Sequence, residues 1–160
     1  MLKLFIIVAL SLFLVISFSF AQSNSHSYST WDVFEVDTCA SVWLIKKFVD
    51  KEAQFKFYPK GEIITEGVPF DTPDAELRRR DNMSTFESIV NKFKLADPAI
   101  KEIALIIHDI EINYWGKKVR KESEELNKTM QEIINSSKNN QDCLQRCFAI
   151  FDQLYEELKK

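Results

Sequence analysis

Asp37-Thr-Cys-Ala-Ser-Val-Trp-Leu-Ile-Lys-Lys-Phe-Val-Asp50, with Phe55-Lys-Phe-Tyr-Pro59 close behind it, is the stretch whose reading decides the fold. Ala40, Trp43, Leu44 and Phe48 recur at spacings of three and four and share one face of a helix, while Lys46 and Asp50 point away. The pattern predicts a helix from Thr38 to Val49, with Asp37 placed to cap its N-terminus. Gln54 to Tyr58 alternates polar and apolar residues as a half-buried strand does, and Pro59-Lys-Gly61 ends it. Upstream, Trp31 to Val36 is rich in aromatic and β-branched residues and reads as a first strand. Glu62 to Asp74 is irregular apart from a short third strand at Val68-Pro-Phe-Asp71.

From Ser84 onward the chain reads as helices. Ser84-Thr-Phe-Glu87 is a capping box, and Asp97-Pro98 is an N-cap followed by proline at the first helical position. The helix after Asp97 carries Ile100, Ile103, Ile107 and Ile110 on one face. A charged helix is expected from Lys117 to Ile134. A last one begins near Gln141, with Cys143, Cys147, Ile150, Leu154, Tyr155 and Leu158 inward. The fold class is therefore α+β: a small sheet of short strands with a larger helical body of about five helices.

Residues 1–21 read as a signal peptide. Lys3 is a minimal basic start, Leu4 to Phe20 is almost uninterruptedly apolar, and Ser19-Phe20-Ala21 supplies small residues at a cleavage site. A retained anchor is the alternative, because a run of this length lies at the short end of what spans a bilayer. Residues 22–30 form a polar, Ser-rich stretch expected to be a flexible lead-in, and residues 31–160 form one domain. The expected location is exported, periplasmic or secreted, with no stable membrane span once the signal is removed. Removing Lys3 leaves 20 basic against 24 acidic residues, a net charge of −4, which argues against a nucleic-acid partner.

Three cysteines remain for an oxidising compartment: Cys39, Cys143 and Cys147. Cys143 and Cys147 lie one helical turn apart, and a disulfide from Cys39 to one of them would tie the first helix to the last. The alternative is three small buried apolar side chains. His108 lies beside Asp109 and Glu111, but consecutive helical residues point in different directions, so no metal site is expected there. Nothing else has convincing metal-ligand spacing. With three glycines in the chain, a nucleotide-cradling loop is not expected either.

The opening helix resembles that of the ChrB C-terminal (chromate-resistance) domain family, which typically begins Asp-x-x-Ala-Cys-Pro-Trp-Leu-Ile-Arg-Arg-Phe-Ile-Asp. Asp37, Ala40, Trp43, Leu44, Ile45, Phe48 and Asp50 stand in register with it; Ser41 replaces the family's Cys and Val42 its Pro. The likeness continues through Phe57-Tyr-Pro59, Gly67-Val-Pro-Phe-Asp71, the acidic Glu76, Phe93-Lys-Leu-Ala-Asp-Pro-Ala99 and Phe151-Asp-Gln-Leu-Tyr155. The family's Ser-His-x-Gly-Glu-x-Cys-Ser-Phe-Asp signature is the chief departure. Arg79 and Arg80 stand at its His positions, Asn82 at its Glu and Ser84 at its Cys. Arginine does not ligate a cation and a serine hydroxyl is a poor reductant, so neither a metal nor thiol chemistry is expected at that place.

The substitutions suggest an oxyanion site instead. Arg78, Arg79 and Arg80 precede a helix that starts near Ser84, and guanidinium forks suit tetrahedral oxyanions. Ser84 would add a hydroxyl, and Lys47 from the first helix a further charge. The competing reading is a solvated loop whose arginines pair with nearby carboxylates. The resemblance implies a role in the response to chromate or a related oxyanion, by binding or sensing rather than catalysis and without a cofactor. Two alternatives stay open: a thiol-dependent reductase or sulfur-handling accessory using the three cysteines, and a structural envelope protein with a decayed site.

Overall fold

The first strand lies earlier than its aromatic neighbours suggested. The computed structural model describes residues 26–160, so the expected signal peptide falls outside the described residues. Strand β1 is Ser27–Trp31, in what was expected to be a flexible lead-in, and residues 32–35 form the turn into the first helix. β1 runs parallel to β2 (Gln54–Tyr58) and to β3 (Val68–Pro69), giving the order β2-β1-β3. A Ser-Tyr-Ser-Thr-Trp strand has no apolar alternation to announce it. It is central because both of its edges find partners, with Asp32 N–H donating to Tyr58 O at 2.8 Å and Phe70 N–H to Ser29 O at 2.9 Å.

Small side chains on β1 serve a close crossing. Gly67 has φ +80°, and a Cβ there would come within 2.7 Å of Ser29 Oγ and 2.9 Å of Ser27 O. The buried Ser29 hydroxyl donates to Glu66 O at 2.6 Å, which satisfies it without water.

Helix α1 is Val36–Leu44, capped by Glu35, and the expected continuous helix to Val49 gives way to a π turn at Ile45–Val49. Asp50 N–H closes that turn on Ile45 O at 2.8 Å. Within it Phe48 packs on Trp43 and Tyr155, with ring centroids 5.3 and 5.1 Å apart. Asp37 therefore does not cap its own helix. The remaining helices are α2 (Thr85–Lys92), α3 (Pro98–Glu111), α4 (Ser123–Ser136) and α5 (Asn140–Leu158). Among the described residues, five helices and a small sheet make the expected α+β class.

α4 begins six residues later than its charge pattern suggested because Asp109 holds the preceding loop. Its carboxylate accepts the Val119 and Arg120 backbone N–H groups at 2.7 and 3.0 Å. All nine residues of α1 are buried, packed between α2, α3 and α5. Burying a large apolar side chain contributes roughly 1.5–3 kcal/mol. On that scale Trp43, Leu44, Ile45, Phe86 and Phe151, all fully buried, make α1 and its neighbours the centre of the core.

Gly67→Ala combines a left-handed backbone with a clash against β1. It is expected to lower unfolding stability by about 1–3 kcal/mol, read as a shift of the urea midpoint. The same change at Gly61, whose Cβ would meet nothing within 4 Å, should cost only its backbone strain.

Candidate functional site

Three motif residues, Asp37, Asp71 and Ser84, meet at the N-terminus of α2. Two orphan N–H groups there, those of Thr85 and Phe86, donate to the Asp37 carboxylate at 2.7 and 2.9 Å. Ser84 closes the same end as predicted. Its hydroxyl accepts the Glu87 N–H at 3.1 Å, and the Glu87 carboxylate accepts the Ser84 N–H at 2.8 Å. Beside Asp37 lies Asp71, in a left-handed conformation (φ +53°) that aspartate tolerates better than most residues. The Thr38 and Thr85 hydroxyls both donate to its carboxylate, the latter at 2.6 Å.

Arg79 covers this cluster. Its guanidinium donates to the Glu111 carboxylate, lies 3.9 Å from Asp37, and is 43% exposed at the rim. Glu111 also accepts the Asp37 backbone N–H at 3.3 Å. Burial pushes the Asp37 carboxyl well above its usual range, and Asp71 and Glu111 add to the push against the two backbone N–H bonds. Burial likewise raises Asp71, against its two hydroxyl donors, and Glu111, against Arg79. The centre of the motif is thus a carboxyl cluster with one guanidinium over it.

The predicted oxyanion residues do not meet at one point. Arg78 turns to its own loop and donates to Ala75 O at 2.5 Å, while Arg80 donates to Glu76 O at 2.6 Å. Lys47 lies elsewhere, paired with Asp152 at 2.9 Å, and Ser84 is buried in its capping box. Glu76 pairs with Lys92 at 2.5 Å. Together Glu76, Leu77, Arg80, Met83, Ser88, Asn91 and Lys92 line a cleft of 190 Å³. His108 turns to Glu87 at 3.0 Å, away from Asp109 and Glu111, so those three do not form a common site.

Two motif positions are structural. Trp43 is fully buried, and its indole N–H donates to Asp152 at 2.8 Å. Tyr155 donates to Asp97 at 2.7 Å, a bond that raises the phenol pKa to about 12. Ser41 is fully buried, and its hydroxyl has no hydrogen-bond partner among the described residues.

On the other side of α1 the three cysteines meet, and all are free thiols. Cys147 Sγ is 3.2 Å from Cys39 Sγ and 3.9 Å from Cys143 Sγ, so Cys147 is the partner nearer to Cys39. All three sulfurs lie within 4.8 Å of one another. The Cys-x-x-x-Cys spacing was visible in the chain, but nothing local marked Cys39 as its third member. Cys143 is drawn down to about 6, chiefly by its hydrogen bond with Cys39 and against burial, with help from Ser137, Cys147 and Arg146. Hydrogen bonding with Cys143 and Cys147, together with burial, pushes Cys39 up.

Three raised carboxyls make the native state bind protons more tightly than the unfolded chain. Their contribution is complete below about pH 4 and is lost as pH rises through the folded values. The urea midpoint is therefore expected to fall as pH rises from about 4 to about 6, below the range in which Cys143 ionises. Asp37→Asn should flatten that slope. Ser41→Ala removes an unpaired buried hydroxyl and is expected to leave stability unchanged or raise it by about 1 kcal/mol, read by thermal unfolding.

A family model described as ChrB, C-terminal domain matches residues 28–158. No curated protein and no solved structure matches the chain. The matched span starts inside β1 and ends with α5, so it takes in the carboxyl cluster, the arginine loop and the three thiols. The chain belongs to the ChrB C-terminal domain family.

Proposed function

We propose that this chain, a chromate-resistance-related protein by its family, is exported and binds a tetrahedral oxyanion without transforming it. The cleft between Arg80 and Lys92 carries this reading. It presents two cations against one carboxylate, Glu76, which Lys92 already neutralises and holds below the usual carboxylate range. Ser88 and Asn91 add polar groups to its wall.

Electrostatics disfavours the other side of the loop. An anion approaching Arg79 would meet Glu111, Asp37 and Asp71, and the N–H groups at the start of α2 are already occupied by Asp37. Oxyanion contact therefore rests on Arg80 and Lys92 rather than on Arg78, Arg79, Ser84 or Lys47. Binding without catalysis is supported by the commitment of three motif side chains to internal partners: Asp37 to α2, Ser84 to its capping box, Trp43 to Asp152. Thiol catalysis is disfavoured because the three cysteines are buried and offer no exposed face on which to turn over anything larger than a small neutral species.

Thermal unfolding with chromate, sulfate and phosphate tests the proposal. A ligand at 100 times its dissociation constant stabilises the native state by about 2.7 kcal/mol. Stabilisation by chromate is expected, lost in an Arg80→Ala/Lys92→Ala variant and retained in Arg79→Ala. An equal response in all three proteins would place the anion away from the Arg80–Lys92 cleft and overturn that assignment, and no response in any would favour the decayed-site alternative.

A further inference from the structure

The geometry points to a three-sulfur site, formed by Cys39, Cys143 and Cys147, for a trivalent thiophilic metalloid of the arsenite class. Two of its ligands stand one turn apart on α5, and the third comes from α1 across the helix interface. With bonds of ~2.3 Å and the ~95° angles of a pyramidal trivalent centre, the three sulfurs would stand ~3.4 Å apart. The observed separations of 3.2 and 3.9 Å, with every pair within 4.8 Å, bracket that spacing. Small side-chain rotations would complete the site without moving either helix.

The donor set and its surroundings select the ion. No histidine or carboxylate joins the trio among the described residues, so the ligands are uniformly soft. Zinc in a structural site takes four ligands, and three sulfurs leave it one short. Charge then decides among ions content with three. Cys39 and Cys147 are fully buried and Cys143 is 3% exposed. Three thiolates around a monovalent ion carry a net double negative charge, and around a divalent ion a single one; both are strongly unfavourable in an apolar core. A trivalent centre makes the complex neutral.

The reaction is an exchange without redox change. Arsenous acid, As(OH)3, meets three thiols; three As–O bonds break, three As–S bonds form, and the three thiol protons leave in three waters while arsenic stays trivalent. Cys143, the least buried of the three, is the first thiol that arsenous acid meets. Ser137 and Arg146 stand beside it. This site is separate from the Arg80–Lys92 cleft, and the failure of one leaves the other untouched.

The full chain, reduced and then freed of reductant without air, is titrated with arsenite. The expected complex is one-to-one, with a mass gain of one arsenic less three hydrogens and an arsenic X-ray absorption spectrum showing three sulfur neighbours and no oxygen. Cys39→Ala is expected to weaken binding at least ~10-fold and to leave a two-sulfur, one-oxygen centre. Should that variant not fold, the ligand count in the intact protein decides. Two sulfurs in the intact protein, unchanged affinity in folded Cys39→Ala, or no uptake by the reduced chain would each overturn the site. Isolation in air with a single free thiol, followed by no uptake after reduction, would assign the trio to a disulfide instead.

Discussion

The structure depends on a helix buried on every side that is not apolar on every side. Val36 to Leu44 are all inside, yet Asp37, Thr38 and Ser41 carry polar side chains among them. A buried polar group without a partner costs more than a typical hydrogen bond returns, so the neighbours of α1 are placed by what its polar atoms require. Asp37 requires donors, and the N-terminus of α2 supplies two. Thr38 requires an acceptor, and Asp71 in its left-handed turn supplies one. The Trp43 indole requires an acceptor and takes Asp152 on α5. Ser41 alone goes without.

Helical spacing divides these demands between two faces. Asp37 and Ser41, four apart, share the side that meets α2, while Cys39 and Trp43, also four apart, share the side that meets α5. One face is the carboxyl cluster under Arg79 and the other is the sulfur trio. The two kinds of chemistry are thus held on opposite sides of a single helix. A change that rotated α1 would disturb both, whereas a change in either partner helix would disturb one.

The anion expectation shows how charge in a sequence differs from charge in a fold. Three consecutive arginines before a helix N-terminus look like a site for an oxyanion. Folding fills that terminus with the chain's own carboxylate, so its N–H groups have nothing left to offer. Arg79 is spent on Glu111 and Asp37, and Arg78 on a carbonyl of its own loop. Only the outward member of the run, Arg80, opens on a cleft with a second cation.

What the sequence determined by itself is what depends on neighbours along the chain. The Ser84–Glu87 capping box, Asp97 before Pro98, the isoleucine face of α3 and the alternation of Gln54–Tyr58 were all legible, because each is satisfied within a few residues. The α+β class and the family motifs were legible for the same reason. What only the tertiary structure decided rests on distant pairs. A polar strand became the centre of the sheet because β2 and β3 flank it. Asp37 caps a helix 48 residues away rather than its own. Cys39 joins a thiol 108 residues further on. Local spacing cannot say which face of α1 meets which helix, and that choice, made by packing, sets every one of those partners.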